Sequence, residues 1–474
     1  MKVPSRLAVG LAFALLLGGA IAADRMEPPS PIAAPPVVPL TPGGVLACPF
    51  LFNGNGSSWL HLVNAGSDTS KVTVTTVREN ADPLFRTFTL DAGKTTTMTL
   101  DPAVRQASGA IVQFSGGEVA ASRASMFGAG AGGRAGAAAS CARAGDRTIV
   151  VPSGATLGAD TTVLLLNPST SDAVADVSLL TGGEELRPEG LKGIVVEARS
   201  LRRIRVGDFA FDERFVSTVI RVRTGVLAAD GLISAPSGIS LVPGGPPRRD
   251  LAGVATLSAG QGLIDVVGVG EADTVADAAL LSPDGLTAFT ALSEAIVPST
   301  PQTVSLLPEG ERIAATGAVL GVREGSGLSA ALRWVVRLPN GRGDVSASEM
   351  LPPARRLMAV TGAPASAAQS RILLGNPGNA PAIVNLDLLT EQGRQSPAPF
   401  QGIRIEPGQA LSLEIGTFPG SFAVVAVADR PVVMAISSTA LSPVLASFTV
   451  TGHAAPAPQA VPVEPDPRVG VPAG

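Results

Sequence analysis

Leu164-Leu165-Leu166-Asn167-Pro168 and Leu373-Leu374-Gly375-Asn376-Pro377 decide how this chain is organised. Each is a short apolar run that ends in an Asn-Pro turn. Leu179-Leu180-Thr181 then matches Leu388-Leu389-Thr390, and Gly193-Ile194 matches Gly402-Ile403. All three pairs stand 209 residues apart with no insertion between them, and self-similarity at a fixed spacing marks a repeat architecture. The half-step is present as well. Asn64-Ala65-Gly66 lies 103 residues before Asn167, and Pro49 precedes Asn64 by 15 residues just as Pro152 precedes Asn167. Asp91-Ala92-Gly93 corresponds to Glu406-Pro407-Gly408 and, more loosely, to Glu197-Ala198-Arg199. Leu280-Leu281-Ser282 replaces the Leu-Leu-Thr motif in a third, diverged copy that has lost the Asn-Pro turn. Four modules of about 104 residues follow, at 45–140, 147–243, 250–352 and 354–452.

Each module reads as β. Thr162–Leu166, Ala175–Leu180, Ile194–Glu197, Leu201–Val206 and Thr218–Arg223 are short runs rich in Val, Ile, Leu and Thr, separated by turn residues at the spacing of sandwich strands. Leu201-x-x-Ile204-x-Val206 and Val72-x-Val74 alternate, which predicts strands with one wet face. The expected fold is all-β: tandem immunoglobulin-like sandwich modules with six or seven strands each. The alternative is a propeller-like ring with repeats as blades, although about 104 residues is over twice a usual blade.

Residues 1–22 read as a secretory signal. Lys2 and Arg6 precede an apolar run, and Ala20-Ile21-Ala22 supplies the small residues for cleavage between Ala22 and Ala23. The competing reading is an uncleaved N-terminal anchor, because the run from Leu7 to Ala23 reaches the lower limit of a membrane span. Residues 23–44 form a leader with seven prolines (Pro28, Pro29, Pro31, Pro35, Pro36, Pro39 and Pro42), and 453–474 form a Pro-rich tail; both are expected to be extended and unpacked. Val45-Leu46-Ala47-Cys48 has the form of a lipoprotein box but lies well past the apolar run. Leu338-Pro339-Asn340-Gly341 lacks the Thr of a wall-sorting signal. In an exported chain, Cys48 and Cys141 should pair across the first module. That bridge would staple a module with no upstream neighbour to cover its open side.

Composition excludes several activities. The 474 residues carry 35 basic and 39 acidic side chains, a net charge of −4, so bulk charge gives no footprint for nucleic acid. Basic residues are arginine except Lys2, Lys71, Lys94 and Lys192. Of the two histidines, His61 falls in a predicted strand and His453 in the tail, which leaves no metal set and no evident catalytic triad. No Gly-x-Ser-x-Gly or Ser-x-x-Lys occurs. Gly93-Lys94-Thr95 lacks the upstream Gly and the helix of a phosphate loop, and Gly128–Gly133 has no helix to hold a pyrophosphate. Ser282-Pro283-Asp284-Gly285 reads as a turn rather than a calcium loop. Arg342-Gly343-Asp344 follows the hairpin signal Asn340-Gly341 and reads as part of that hairpin. With aromatics at 4% and no Tyr, a sugar site would have to gather Trp59, Trp334 and acidic side chains around one groove. No catalytic, cofactor or metal residue is assigned.

The Asn-Pro, Leu-Leu-Thr and Gly-Ile-x-x-x-Pro-Gly pattern, after a signal and a Pro-rich leader, resembles a family of exported actinobacterial proteins known as a domain of unknown function. The resemblance spans most of residues 45–450 and implies an envelope or extracellular setting. It brings no catalytic residues, and the third copy departs from the pattern. The expected function is a non-catalytic structural or interaction protein of the cell envelope, contacting an envelope protein or wall polymer by extended surfaces or an exposed sheet edge. The alternatives are an envelope polysaccharide-binding or processing protein and an extracytoplasmic accessory subunit of a membrane enzyme. Contact with membrane is expected only through an uncleaved anchor, and none with nucleic acid.

Overall fold

A computed structural model describes residues 43–455, apart from 51–56, 79–80, 100–107, 131–132, 153–159, 183–184, 211–212, 214–215, 236–237, 256–261, 271–273, 289–299, 307–315, 338–342, 362–367, 417–419 and 441–445. The signal, its Ala22/Ala23 cleavage site, the leader up to residue 42 and the tail from 456 lie outside the described residues. The described elements are strands, apart from 3-10 turns at Glu189–Leu191, Val206–Asp208 and Ala398–Phe400. The expected strands of the second module are present as Asp160–Leu166, Ala173–Leu180, Ile194–Val196, Leu201–Arg205 and Ser217–Thr224. Four further short strands bring that unit to nine, above the six or seven expected.

One strand plan is used four times. In the first unit the strands in chain order are Gly43–Phe50, Ser57–Asn64, Ser70–Arg78, Ala81–Leu90, Thr95–Thr99, Ser108–Ser115, Val119–Gly130 and Gly133–Ser140. The first, sixth, third and fourth form one antiparallel sheet in that order, here called the leading sheet; the fifth, second, seventh and eighth form the other, the trailing sheet. The second and third units repeat both orders. In the fourth unit the sixth and seventh strands are a single run, Phe422–Ala440, that pairs with the leading sheet through its first half and the trailing sheet through its second. Glycine at positive φ makes the corresponding turn in the other units: Gly116 and Gly117, Gly225, and Gly325. Strands that cross between two sheets define a sandwich; the consecutive meander of a propeller blade is not formed.

Each unit has its own core between its two sheets. In the second unit Val163, Leu165, Val177, Leu179, Ile204 and Ile220 meet there. The motifs that revealed the repeat are the turns that hold these sheets together. Asn167 Nδ2 donates to the carbonyls of Ser171, Val196 and Glu197, while its Oδ1 accepts from Ser169 N. Asn376 repeats this with Ala380, Ile405 and Gly378 N, and Asn64 with Asp68, Leu90 and Gly66 N. Gly268 takes the position in the third unit: it pairs with Leu328, the first residue of the seventh strand, as Asn64 pairs with Val119. Thr390 Oγ1 and its counterpart Ser282 Oγ each donate to a carbonyl three residues on, closing the hairpin to the fourth strand. Gly93 and Gly408 turn the chain at φ 70° and 71°, and Arg199 is forced to φ 49° at the same place, which accounts for the looser match of Glu197-Ala198-Arg199.

The units close into a cycle. The outer face of each leading sheet packs on the outer face of the next unit's trailing sheet. Ala47, Val77 and Ile111 of the first unit meet Leu164, Leu166 and Ala228 of the second. Val150, Leu180 and Val219 of the second meet Val267 of the third. Ala252, Val254 and Leu281 of the third meet Leu373, Ala410 and Val433 of the fourth. Met358, Val360, Leu389 and Val425 of the fourth return to Val63 and Ala65 of the first. The first unit therefore has no open side, contrary to expectation: the fourth unit covers it. Glu118 with Arg356, Thr95 Oγ1 to Ser421 O (3.1 Å), Arg394 Nη2 to Ala65 O (2.6 Å) and Ser140 Oγ to Thr451 O (2.9 Å) join this seam.

Candidate functional site

The eighth strands, Gly133–Ser140, Gly238–Pro243, Gly343–Glu349 and Ala446–Thr451, meet one another around the centre of the cycle. Small and branched side chains allow the approach: Ala137 and Ala139 against Leu232 and Leu241, and Val242 against Ala347. Two buried ion pairs lie near this axis. Arg123 of the first unit pairs with Asp230 of the second and donates to Ser140 O at 2.7 Å. Arg333 forks onto Asp265 within the third unit at 3.0 and 3.1 Å. Burial pushes the Arg123 guanidinium down to about 9, against the pull of the Glu349 carboxylate.

At one end of the axis the four chain segments that follow the eighth strands converge. Each returns to the first strand of its own unit. Ala142 and Ala47 exchange backbone hydrogen bonds at 2.8 and 3.0 Å, as do Gly245 with Val150 and Leu351 with Ala252; Ala455 N donates to Arg356 O. Between these straps lies a cavity of about 310 Å³. Leu46, Leu251, Leu328, Met350, Met358 and Val360 form its apolar walls. Its charged and titratable groups come from the straps (Arg143 and Asp146, Arg248, His453) and from Glu349, the last residue of the third unit's eighth strand. Glu349 is buried and its Oε1 lies 2.7 Å from His453 Nε2. Burial raises the Asp146 carboxyl, and the charge of Arg248 opposes that rise. His453 and Ala454, assigned by sequence to the unpacked tail, form a short strand against Met358 and Leu357. Spacing gave no hint of this cavity, because its polar residues come from linkers and a strand end of four units roughly one repeat apart.

The residues singled out by sequence are placed as follows. Cys48 and Cys141 form a disulfide, with Cα atoms 4.6 Å apart, in the core of the first unit and next to the cavity. His61 is buried in the second strand, its Nδ1 3.0 Å from Thr97 Oγ1. Its Nε2 has no hydrogen-bond partner among the described residues, and burial pushes the imidazole down to about 3. Trp334 lies in the core of the third unit, whereas Trp59 packs with Ala138 and Val450 between the first and fourth. The two tryptophans share no groove. Lys94 pairs with Asp91 at the rim of a turn. Gly343 and Asp344 lie in the eighth strand of the third unit, paired with Arg337 and Val336; Arg342 and the Leu338–Gly341 run lie outside the described residues. Ser282–Gly285 is the hairpin turn that sequence predicted.

One edge differs from its counterparts. The fourth strand of the first unit, Ala81–Leu90, has ten residues and pairs only with the third strand. The equivalent edges are broken or short: Glu185–Leu186 and Ile194–Val196 in the second unit, Gly285–Ala288 in the third, and Gly393–Gln395 and Ile403–Ile405 in the fourth. Leu84 (49%) and Phe85 (58%) are among the most exposed large apolar side chains of the described residues. Arg199 of the second unit sits 5.5 Å from the Phe85 ring centroid, a cation–π distance. Pro83 is tolerated here because an edge strand has donors with no ladder partner to lose.

Fold and site together define a disulfide-bridged, all-β protein of four cyclically packed sandwiches with a cavity where they join. The chain belongs to the Family of unknown function (DUF5719), whose model matches residues 103–357. No curated protein matches the chain. Among solved structures, Escherichia coli alpha-2-macroglobulin activated by porcine elastase aligns at 12% identity and a TM-score of 0.11, covering 87% of this chain and 43% of its own.

Proposed function

We propose that the protein is a non-catalytic, exported interaction protein of the cell envelope that holds a partner at the Ala81–Leu90 edge. One observation carries the reading: the cycle covers the outer sheet faces, yet one unit keeps a ten-residue edge with exposed Leu84 and Phe85. Such an edge can accept an extended segment of a partner protein through main-chain hydrogen bonds, with side chains setting specificity. The Cys48–Cys141 bridge supports an oxidising, extracytoplasmic location. No helix among the described residues is long and apolar enough to cross a membrane.

The test is in-cell crosslinking from a photoreactive residue at position 86, an exposed neighbour on the same edge strand, with mass spectrometry of the envelope fraction. A reproducible protein partner is expected, lost in the Leu84→Asp/Phe85→Glu variant while the protein stays folded. Crosslinks unchanged by that variant, or recovery only with wall polymer, overturn the reading. A single membrane enzyme as the partner would narrow the role to that of an accessory subunit.

A further inference from the structure

The strap cavity is independent of that edge and has the make-up of a small-molecule site: apolar walls, a few convergent polar groups, and a position where separate folding units meet. Its volume of about 310 Å³ holds on the order of ten water-sized groups at roughly 30 Å³ each. The polar groups are not spread evenly. Glu349, the buried acid, has its Oε1 2.7 Å from His453 Nε2 and its charge acts on the buried Arg123. Arg248, also in the lining, is exposed. Of the lining acids, Asp146 is the one whose carboxyl feels the charge of Arg248, which opposes the rise that burial causes. An apolar recess whose lining includes the exposed Arg248 favours a ligand with an apolar body and an anionic head, because guanidinium pairs with carboxylate through two parallel hydrogen bonds.

We propose that the cavity binds a small amphipathic carboxylate, with its apolar part between Leu46, Leu251, Leu328, Met350 and Met358 and its carboxylate at Arg248. The four straps preorganise the site. Each is hydrogen-bonded to a first strand, so little chain ordering is left to oppose binding.

The experiment is saturation-transfer NMR on the full exported chain at pH 7 with four probes: 4-phenylbutyrate and hexanoate, and the uncharged 4-phenylbutanol and hexanol. The carboxylates are expected to bind at least about tenfold more tightly than the matching alcohols. Arg248→Gln, an exposed and fold-neutral change, should erase that difference. Gly245→Phe should abolish binding of all four probes, since Gly245 lines the cavity and a Cβ there meets nothing within 4 Å, which leaves room for the ring. Alcohols binding as tightly as carboxylates, an Arg248→Gln protein that keeps the preference, or no binding below about 1 mM would each overturn the assignment.

Discussion

The second and fourth units are close copies, whereas the first and third depart from them at the middle of the packing interfaces. Three residues before the turn position, the second strand carries Leu164 in the second unit and Leu373 in the fourth. Both are buried against the preceding unit. The same position is His61 in the first unit and Asp265 in the third. Strand alternation puts them on the face that carries Val63 and Val267, which pack on the fourth and second units. Each polar residue has a threonine partner on the adjacent fifth strand: Thr97 for His61, and Thr303, which donates to Asp265 at 2.6 Å. So the cycle alternates apolar and polar interfaces. Sheet stacking tolerates either, provided a buried polar group is given partners of its own.

The largest way to break this comparison is Asp265→Ala. It strips two hydrogen bonds from the buried Arg333 guanidinium and should cost about 3–5 kcal/mol, read from urea unfolding. The Asp265→Leu/Arg333→Leu double variant, which gives the third unit the apolar interface of its neighbours, should recover most of that loss. Leu164→Ala or Leu373→Ala, which open a cavity in an apolar interface, should each cost about 2–4 kcal/mol in the same assay.

His61 sharpens the comparison through pH. Its folded value near 3 lies below the ordinary value near 6.5, so between the two the unfolded chain binds the extra proton and stability falls as pH falls. Going from pH 6.5 to 5 should remove about 2 kcal/mol. His61→Leu should flatten that slope and leave stability at pH 7 little changed; unfolding midpoints at pH 7, 6 and 5 decide it. The smallest effect separates the two even units themselves. Arg199→Gly installs the residue that Gly408 supplies in the fourth unit and relieves a left-handed backbone by about 1 kcal/mol, seen as a higher thermal midpoint.

The repeat register, the strands and the disulfide were all legible in the sequence, because each is a local or pairwise signal. Asn167 and Asn376 announced themselves by position, and their side chains prove to be the hydrogen-bond hubs of the turn. The cyclic packing was not legible. Val163, Leu164, Leu165 and Leu166 are all fully buried, alternating between the unit's core and the interface with the preceding unit. A continuous apolar run of that kind is what a strand covered on both faces requires, but a run of four cannot say what covers it. His453 was missed for a related reason: two residues at the head of a Pro-rich segment carry no periodicity, and only the first strand beside them gives them a place. The cavity was illegible altogether, since no one linker holds enough of it to form a motif.

No chain connection among the described residues crosses the seam between the fourth and first units. Its two faces are complementary and belong to opposite ends of one polypeptide, and a head-to-tail contact of this kind can be satisfied by another molecule as well as by itself. Closure prevails because the two ends are tethered at high effective concentration. If the whole seam opens, its ion pair, hydrogen bonds and apolar contact together, the same surfaces become donor and acceptor of an open-ended polymer, so the seam is where a ring would turn into a chain of rings.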